Sequence, residues 1–277
     1  MPPCRARRPP RRLNVTALIS RAAVEPLAPV LATLTALQAR HGEDSLQGLA
    51  PGLVRPAGPA AEGWVPAAEL DVDDLLGAAA RRWSAQPHAA AALAWKCYSY
   101  WVALPAVLGF AAARRVPLMT PDHVLVRYTD HRPFLTLALR SPVTAVLATD
   151  PIVATDAPGL LIVSDEAELL DVLRRSVADA HLAPLLEELH KRVRIGRRTL
   201  WGSVASGVAY GLSRAADSLP GPILDTAHRL LTALDADDLV ELANRPGGGL
   251  DIQRKTCCLA FTLPTPKVCT SCCIRSH

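Results

Sequence analysis

Residues 123–139 read HVLVRYTDHRPFLTLAL, and this stretch decides the fold class. Apolar side chains alternate with polar or small ones over residues 123–128 and again over residues 134–139, which is the period of a β-strand. Residues 129–133 between the two runs have the length and the turn-forming composition of a hairpin loop. The stretch therefore predicts an antiparallel hairpin near residues 122–140.

Helical patterns flank this hairpin on both sides. Apolar residues recur every three or four positions over residues 13–41. Further helices are predicted at residues 66–80, 88–113, 199–214 and 223–234, and the one at 88–113 is nearly apolar all round and therefore central. Residues 166–195 predict two further helices, broken at Pro184. Helices before and after a small antiparallel sheet give an α+β fold that is mostly helical. A loop is predicted at residues 48–63 and short strands at residues 145–147 and 159–163. After these strands the chain is expected to be mainly helical to about residue 244.

Three parts are expected along the chain: a disordered basic tail at residues 1–12, a mainly helical α+β domain at 13–245, and a C-terminal segment at 246–277. The tail holds five arginines among prolines. No apolar run of a secretory signal follows it, so a disordered tail is favoured, with an organelle transit peptide as the alternative.

Composition excludes several classes of protein. Half of the residues are apolar, 20% are charged, and the net charge is +4. A mostly disordered chain and a dedicated nucleic-acid binder are therefore excluded. Residues 97–113 carry no charge, but they contain Pro105 and are shorter than the roughly 20 apolar residues of a membrane span. We expect a core helix there and a cytoplasmic protein without a membrane span, although peripheral membrane association stays open.

Cysteines mark the C-terminal segment, where residues 247–277 read GGGLDIQRKTCCLAFTLPTPKVCTSCCIRSH. Cys257, Cys258, Cys269 and Cys272 form a Cys-Cys-x10-Cys-x2-Cys pattern. Thiolates are soft ligands that select zinc, copper(I) or iron–sulfur centres. Adjacent cysteines diverge along an extended backbone, which suits a cluster better than one small ion. A [2Fe–2S] centre and a structural zinc both remain open on this pattern alone, with residues 259–263 predicted as a short strand between the pairs.

This tail resembles the C-terminus of the FhuF family of ferric-siderophore reductases. The cysteine pattern carries the resemblance, together with the approach at residues 254–259, the Leu263-Pro264 return and a Trp-Gly helix start at residues 198–206, RTLWGSVAS. The resemblance implies that the four cysteines hold a [2Fe–2S] cluster that passes one electron to Fe(III) in a siderophore. Cys273 departs from the family pattern as a fifth thiol, which we assign as a spare or neighbouring group.

Four cations and one tryptophan are candidates for the surroundings of the cluster. Arg254 and Lys255 precede the first cysteine pair, and Arg197 and Arg198 precede Trp201. A thiolate-held cluster is anionic, so nearby cations raise its potential and could also hold an acidic siderophore or electron donor. The alternative for the cations is ordinary surface charge. Trp201 either shields the cluster or fills the core.

Other polar residues are given structural assignments. Asp130, His131 and Arg132 are expected in a solvated hairpin turn, and the alternative is that they line a ligand groove. His181 and His190 are nine residues apart on helical sequence, so they are not expected to form a metal pair.

Two functions follow from this sequence. The first is an enzyme that reduces a ferric siderophore and receives electrons from an external ferredoxin-like protein or reductase, because no dinucleotide-binding or phosphate-binding motif is present. The second is a non-enzymatic iron–sulfur or zinc module that senses redox state or binds a partner protein.

Overall fold

A computed structural model describes residues 25–56, 62–269 and 271–275. The predicted tail at residues 1–12 and the first part of the helix predicted at 13–41 lie outside these residues. The described α-helices are α1 (Ala28–His41), α2 (Val72–Trp83), α3 (Pro87–Ala113), α4 (Glu166–Leu173), α5 (Ala183–Val193), α6 (Arg197–Ala215) and α7 (Ile223–Ala233). None of the helices in these ranges is long and apolar enough to cross a bilayer.

The described strands form three small sheets. They are β1 (Leu49–Val54), β2 (Val65–Pro66), β3 (Arg115–Pro117), β4 (Val124–Tyr128), β5 (Leu135–Leu139), β6 (Thr144–Leu147), β7 (Leu160–Val163), β8 (Val240–Asn244) and β9 (Leu250–Arg254). The first sheet has the order β1-β5-β4-β2, the second has the order β3-β6-β7, and β8 pairs with β9.

The predicted hairpin is present, and the α+β class is confirmed. Strands β4 and β5 pair antiparallel with Val124 opposite Leu139 and Tyr128 opposite Leu135. Two parallel pairs accompany this antiparallel hairpin, because β1 runs parallel to β5 and β6 runs parallel to β7. The loop predicted at residues 48–63 instead contains β1. Leu49 and Leu53 are buried there, and pairing with the buried strand β5 outweighs the local Pro and Gly content.

Helix α3 is the centre of the fold, as its nearly continuous apolar sequence predicts. Its Trp95, Tyr98 and Phe110 side chains are fully buried. Helix α6 packs against it through small residues. A Cβ added at Gly207 would lie 3.5 Å from the Tyr100 ring, and one added at Gly211 would lie 2.7 Å from Leu104 Cδ1. The two helix backbones therefore approach closely along the face of α6 that carries Gly207 and Gly211.

The prediction that Pro184 breaks the helix is wrong. Residues Arg174–Leu182 form a π-helical segment that joins α4 to α5, and Pro184 lies in the first turn of α5, where its missing N–H is not needed.

His181 in this π-helical segment is buried, which lowers its pKa to about 4 and keeps the ring neutral. Its Nε2 lies 2.7 Å from the Tyr98 hydroxyl and its Nδ1 contacts the Met119 carbonyl, so His181 is a core residue.

The prediction of helical structure to about residue 244 is wrong, because α7 ends at Ala233 and Val240–Asn244 is strand β8. Strands β8 and β9 form an antiparallel hairpin that crosses the expected boundary at residues 245/246, with Val240 opposite Arg254. The three glycines Gly247–Gly249 make its turn with φ values of 86°, 105° and 76°, a conformation that favours glycine. The strand predicted at residues 259–263 is also wrong, because Ala260–Thr262 forms one 3-10 turn.

Candidate functional site

Strand β9 delivers the first cysteine pair to the start of α6. Thr256, which immediately precedes Cys257, is buried against Gly202 in the first turns of that helix. A Cβ added at Gly202 would lie 1.9 Å from Thr256 Oγ1. Only glycine therefore lets Thr256 approach this closely, which gives a physical reason for the Trp201-Gly202 helix start.

The second cysteine pair returns to the same strand. The Arg254 N–H donates to the Ser271 carbonyl at 3.1 Å, and Gln253 Nε2 donates to the Cys272 carbonyl at 3.3 Å. The Cys272 N–H donates to the Cys269 carbonyl at 3.2 Å, which closes the Cys-x-x-Cys turn. Two hydrogen-bonded segments thus carry the four cysteines of the pattern.

The thiols have different surroundings. Cys258 is buried with Leu93, Ala260 and Leu263, and the Leu259 N–H donates to Cys257 Sγ at 3.3 Å. The pKa of Cys273 is raised, first by burial and then by the negative charge of neighbouring Cys257 and Cys272, while Arg254 opposes the shift. Cys273 therefore lies in the same electrostatic environment as two cysteines of the pattern.

Two buried donors beside the cysteines have no hydrogen-bond partner among the described atoms. They are Arg254 Nε and Thr256 Oγ1, which come just before Cys257 in the chain. Cluster and thiolate sulfurs accept hydrogen bonds, so both atoms could be satisfied by an iron–sulfur group. In the described ranges no three His, Cys, Asp or Glu side chains converge as they would around a single metal ion. The soft donor set and the two buried donors nevertheless fit a cluster.

A cavity of about 1530 Å³ adjoins these cysteines, and its lining includes Cys258 and Cys269. Helices α2, α3 and α6, the tip of the β4–β5 hairpin and the C-terminal segment surround it. The cavity exceeds the roughly 300–1000 Å³ of common small-molecule sites, so it has room for a large ligand. Arg132 is exposed in the turn of the β4–β5 hairpin, as predicted, and it also contributes to the lining of this cavity.

Of the predicted neighbours of the cysteines, Arg254 lines this cavity, is buried and contacts Ser203. The others are engaged elsewhere. Arg197 pairs with Glu187, Arg198 with Asp238 and Lys255 with Glu241, and Trp201 Nε1 donates to the Leu234 carbonyl at 3.1 Å. The contacts of Arg197, Arg198 and Trp201 connect α6 to α5, to the segment before β8 and to the end of α7, while Lys255 is paired with β8.

The chain matches a family model described as ferric iron reductase FhuF-like transporter over residues 94–241, which is more than half of its length. It belongs to the FhuF-like family. The matched region of this FhuF-like chain runs from α3 to the beginning of β8, and it includes the helix pair α3 and α6 along one side of the cavity. The cysteine-rich tail lies beyond the match. No curated protein matches the chain in sequence.

Sequence reasoning missed several residues of the FhuF-like cavity. Arg82, Trp83, Lys96 and Phe134 come from three separate elements, and only folding brings them to one cavity with Cys258. A weak signal was present in the adjacent Arg81-Arg82-Trp83 at the end of α2, a cationic and aromatic combination.

Proposed function

We propose that this FhuF-like protein reduces Fe(III) held by a siderophore, using a [2Fe–2S] cluster bound by Cys257, Cys258, Cys269 and Cys272. The observation that carries the proposal is that two of these cysteines, Cys258 and Cys269, line a cavity large enough for a metal chelate. A sensor or a structural zinc module needs no such cavity.

The cluster, when bound, supplies a single electron, which is what conversion of Fe(III) to Fe(II) requires. The protein's own residues hold the cluster and exclude water from it. Cys258 is 7% exposed and Cys272 is 6% exposed, so the C-terminal segment shields two of the four sulfurs from solvent. Buried Arg254 places a positive charge beside the cysteines, which favours the reduced state of an anionic cluster.

Iron release then follows from coordination chemistry. Hard oxygen ligands bind Fe(III) far more strongly than Fe(II), so reduction weakens the complex. The chelate occupies the cavity and leaves without its iron, and an external ferredoxin-like protein or reductase restores the electron. Because the cysteines must remain reduced to bind iron, we assign the reaction to the cytoplasm.

We expect the purified protein with its cluster to leave NADPH unoxidised when a ferric siderophore is present, because its sequence lacks a nucleotide-binding motif. Addition of a ferredoxin and its reductase should start continuous formation of Fe(II), recorded with a ferrous chelator. The donor proteins without this protein are the control. Direct NADPH oxidation by this chain would contradict the external-donor requirement.

A further inference from the structure

The C-terminal segment exposes large apolar side chains beside its cysteines. Phe261, Val268 and Ile274 are 43%, 43% and 52% exposed. They are three of the seven large apolar side chains that are exposed in the described part of the chain, and all three fall within residues 261–274. Exposed apolar residues scattered singly are ordinary, whereas a group of them on one segment is typical of an interaction surface.

Backbone pairing brings two of these side chains together. The Lys267 N–H donates to the Ala260 carbonyl at 3.0 Å, so the next residue after each of them, Val268 and Phe261, lie near one another. Ala260 is buried in the apolar cluster that contains Cys258. Phe261 instead turns away from that cluster toward solvent.

The third side chain lies beside different cysteines. Ile274 follows Cys273 in the turn Cys273–Arg275, and the thiol of Cys273 is close enough to Cys257 for negative charge there to raise its pKa. Cys257 is half-buried, and among the described residues neither it nor Ile274 lines the cavity, whereas Cys258 does. The cysteines are therefore reached from two sides, the cavity and an outer face marked by Cys257 and Ile274.

The segment that forms this outer face is basic. Residues 252–277 contain four Lys or Arg and no Asp or Glu, so this stretch carries a formal charge as large as the +4 of the whole chain. Lys255, next to buried Arg254, is 41% exposed, and Lys267 is exposed as well. The ion pair of Lys255 with Glu241 is on the surface and contributes little stability, so a partner's carboxylate can replace Glu241. A surface of this sign attracts an acidic protein and speeds its association.

We propose that an acidic one-electron carrier protein of the ferredoxin type docks on this outer face. The docking surface, called the outer patch, consists of Lys255, Phe261 and Ile274, with Lys267 and Val268 at the edge that meets the cavity. The inference rests on the proposed function and names the surface through which its electron arrives. The apolar side chains exclude water at the centre of the interface, and the lysines steer the acidic partner to it.

Electron transfer at the outer patch requires no bond to form or break. One electron leaves the reduced carrier and reduces the cluster held by the cysteines, and the carrier departs oxidised. The electron enters at the side of Cys257 and leaves toward the chelate at the side of Cys258. The donor and the ferric chelate therefore occupy different faces of the protein.

Reduction of the cluster by ferredoxin, without any siderophore, tests the outer patch. The full-length protein with its oxidised cluster is mixed with NADPH, excess ferredoxin reductase and a small amount of an acidic plant-type ferredoxin, so the loss of absorption reports the protein's own cluster. Ile274→Ser and Lys255→Gln should each slow this reduction by about threefold to tenfold. Added salt should slow the reduction of the unaltered protein. Dithionite, a small inorganic reductant, should reduce all of these proteins equally fast, because it needs no docking surface.

Two matched variants serve as controls. Ile162→Ser removes a side chain that is 53% exposed on β7, against 52% for Ile274. Lys191→Gln removes a lysine from an exposed ion pair with a glutamate, as Lys255→Gln does. Both controls lie outside the C-terminal segment, so neither should change the rate. Phe261→Ser repeats the test of the outer patch at a position that is not adjacent to any cysteine.

Patch variants that ferredoxin reduces at the unaltered rate would overturn the docking surface and leave the reductase proposal standing. So would an unaltered protein that ferredoxin fails to reduce. Tyr210 is 53% exposed and lines the cavity; if Tyr210→Ser slows the reduction as much as Ile274→Ser does, the donor approaches through the cavity and the outer patch is wrong.

Two further results separate the outer patch from other roles. If Ile274→Ser abolishes binding to phosphatidylserine vesicles without changing the rate of reduction, the patch is a membrane surface and the carrier proposal is overturned. The reductase proposal fails on a different result, namely a cluster that ferredoxin reduces quickly and that no ferric siderophore reoxidises.

Discussion

Cys272→Ser is expected to yield colourless protein where the unaltered protein, purified without oxygen, is reddish-brown. The unaltered protein should contain about two irons and two sulfides per chain, the content of a [2Fe–2S] centre. A serine hydroxyl is a hard and weakly acidic donor, so it replaces a thiolate ligand poorly. Cys258→Ser should have the same effect, because it removes a second thiolate of the pattern, one that is buried beside Leu93. Iron, sulfide and visible absorption are the measurements.

Two further cysteines provide matched controls for this prediction. Cys97→Ser should keep the colour, because burial in α3 raises the pKa of that thiol to about 11 and it lies outside the cysteine pattern. Cys273→Ser should also keep the colour. A bleached Cys273→Ser protein beside a coloured Cys272→Ser protein would show that the second pair was assigned one residue too early.

Gly202→Ala is expected to release the cysteine-rich segment from α6. The added Cβ would lie 2.8 Å from Thr256 Cβ, an atom that no change of side-chain rotamer can move. The backbone before Cys257 must therefore shift. Overpacking of this kind typically costs about 1–3 kcal/mol, enough to lower the midpoint of thermal unfolding by several degrees. Because the cysteines follow directly, iron content should fall as well.

Gly207→Ala is the matched control on the same helix, since its Cβ would meet Tyr100 at an ordinary contact distance of 3.5 Å. Alanine favours a helix over glycine by about 1 kcal/mol, so this variant should be neutral or slightly stabilising. Thr256→Gly in the Gly202→Ala background removes the opposing atoms and should restore iron content. A Gly202→Ala protein with full stability and full iron content would refute the close packing of Thr256 on α6.

The parts of the fold with a strong local period could be predicted from the sequence. The two short apolar runs of β4 and β5 flank a turn-forming segment, which indicates a hairpin, and the apolar run of α3 indicates a central helix. The sequence around β1 contains Pro51 and Gly52, and only its parallel pairing with β5 makes it a strand. The β8–β9 hairpin was missed because the glycine turn reads locally as a linker.

The residues of the candidate site also differ in whether a local sequence pattern indicates them. The cysteine pattern and Arg254 are adjacent in sequence, so a local pattern was enough to single them out as candidates. Trp83 and Lys96 reach the cavity only because α2 and α3 pack around it, and no local pattern indicates that meeting. Arg197 and Arg198 are near the motif in sequence, but carboxylates on other elements hold them.

Reoxidation of the reduced cluster in a single turnover tests the central claim most directly. Protein purified without oxygen is reduced chemically, freed of reductant and mixed with a ferric siderophore, while the cluster absorption and a ferrous chelator are followed together. Several siderophores of different ligand chemistry should be tried, since reduction potentials differ among them. The account predicts that with at least one of them the cluster is reoxidised as Fe(II) appears, at about one electron per [2Fe–2S] centre. A reduced cluster that persists with every ferric siderophore would contradict the assignment as a ferric-siderophore reductase.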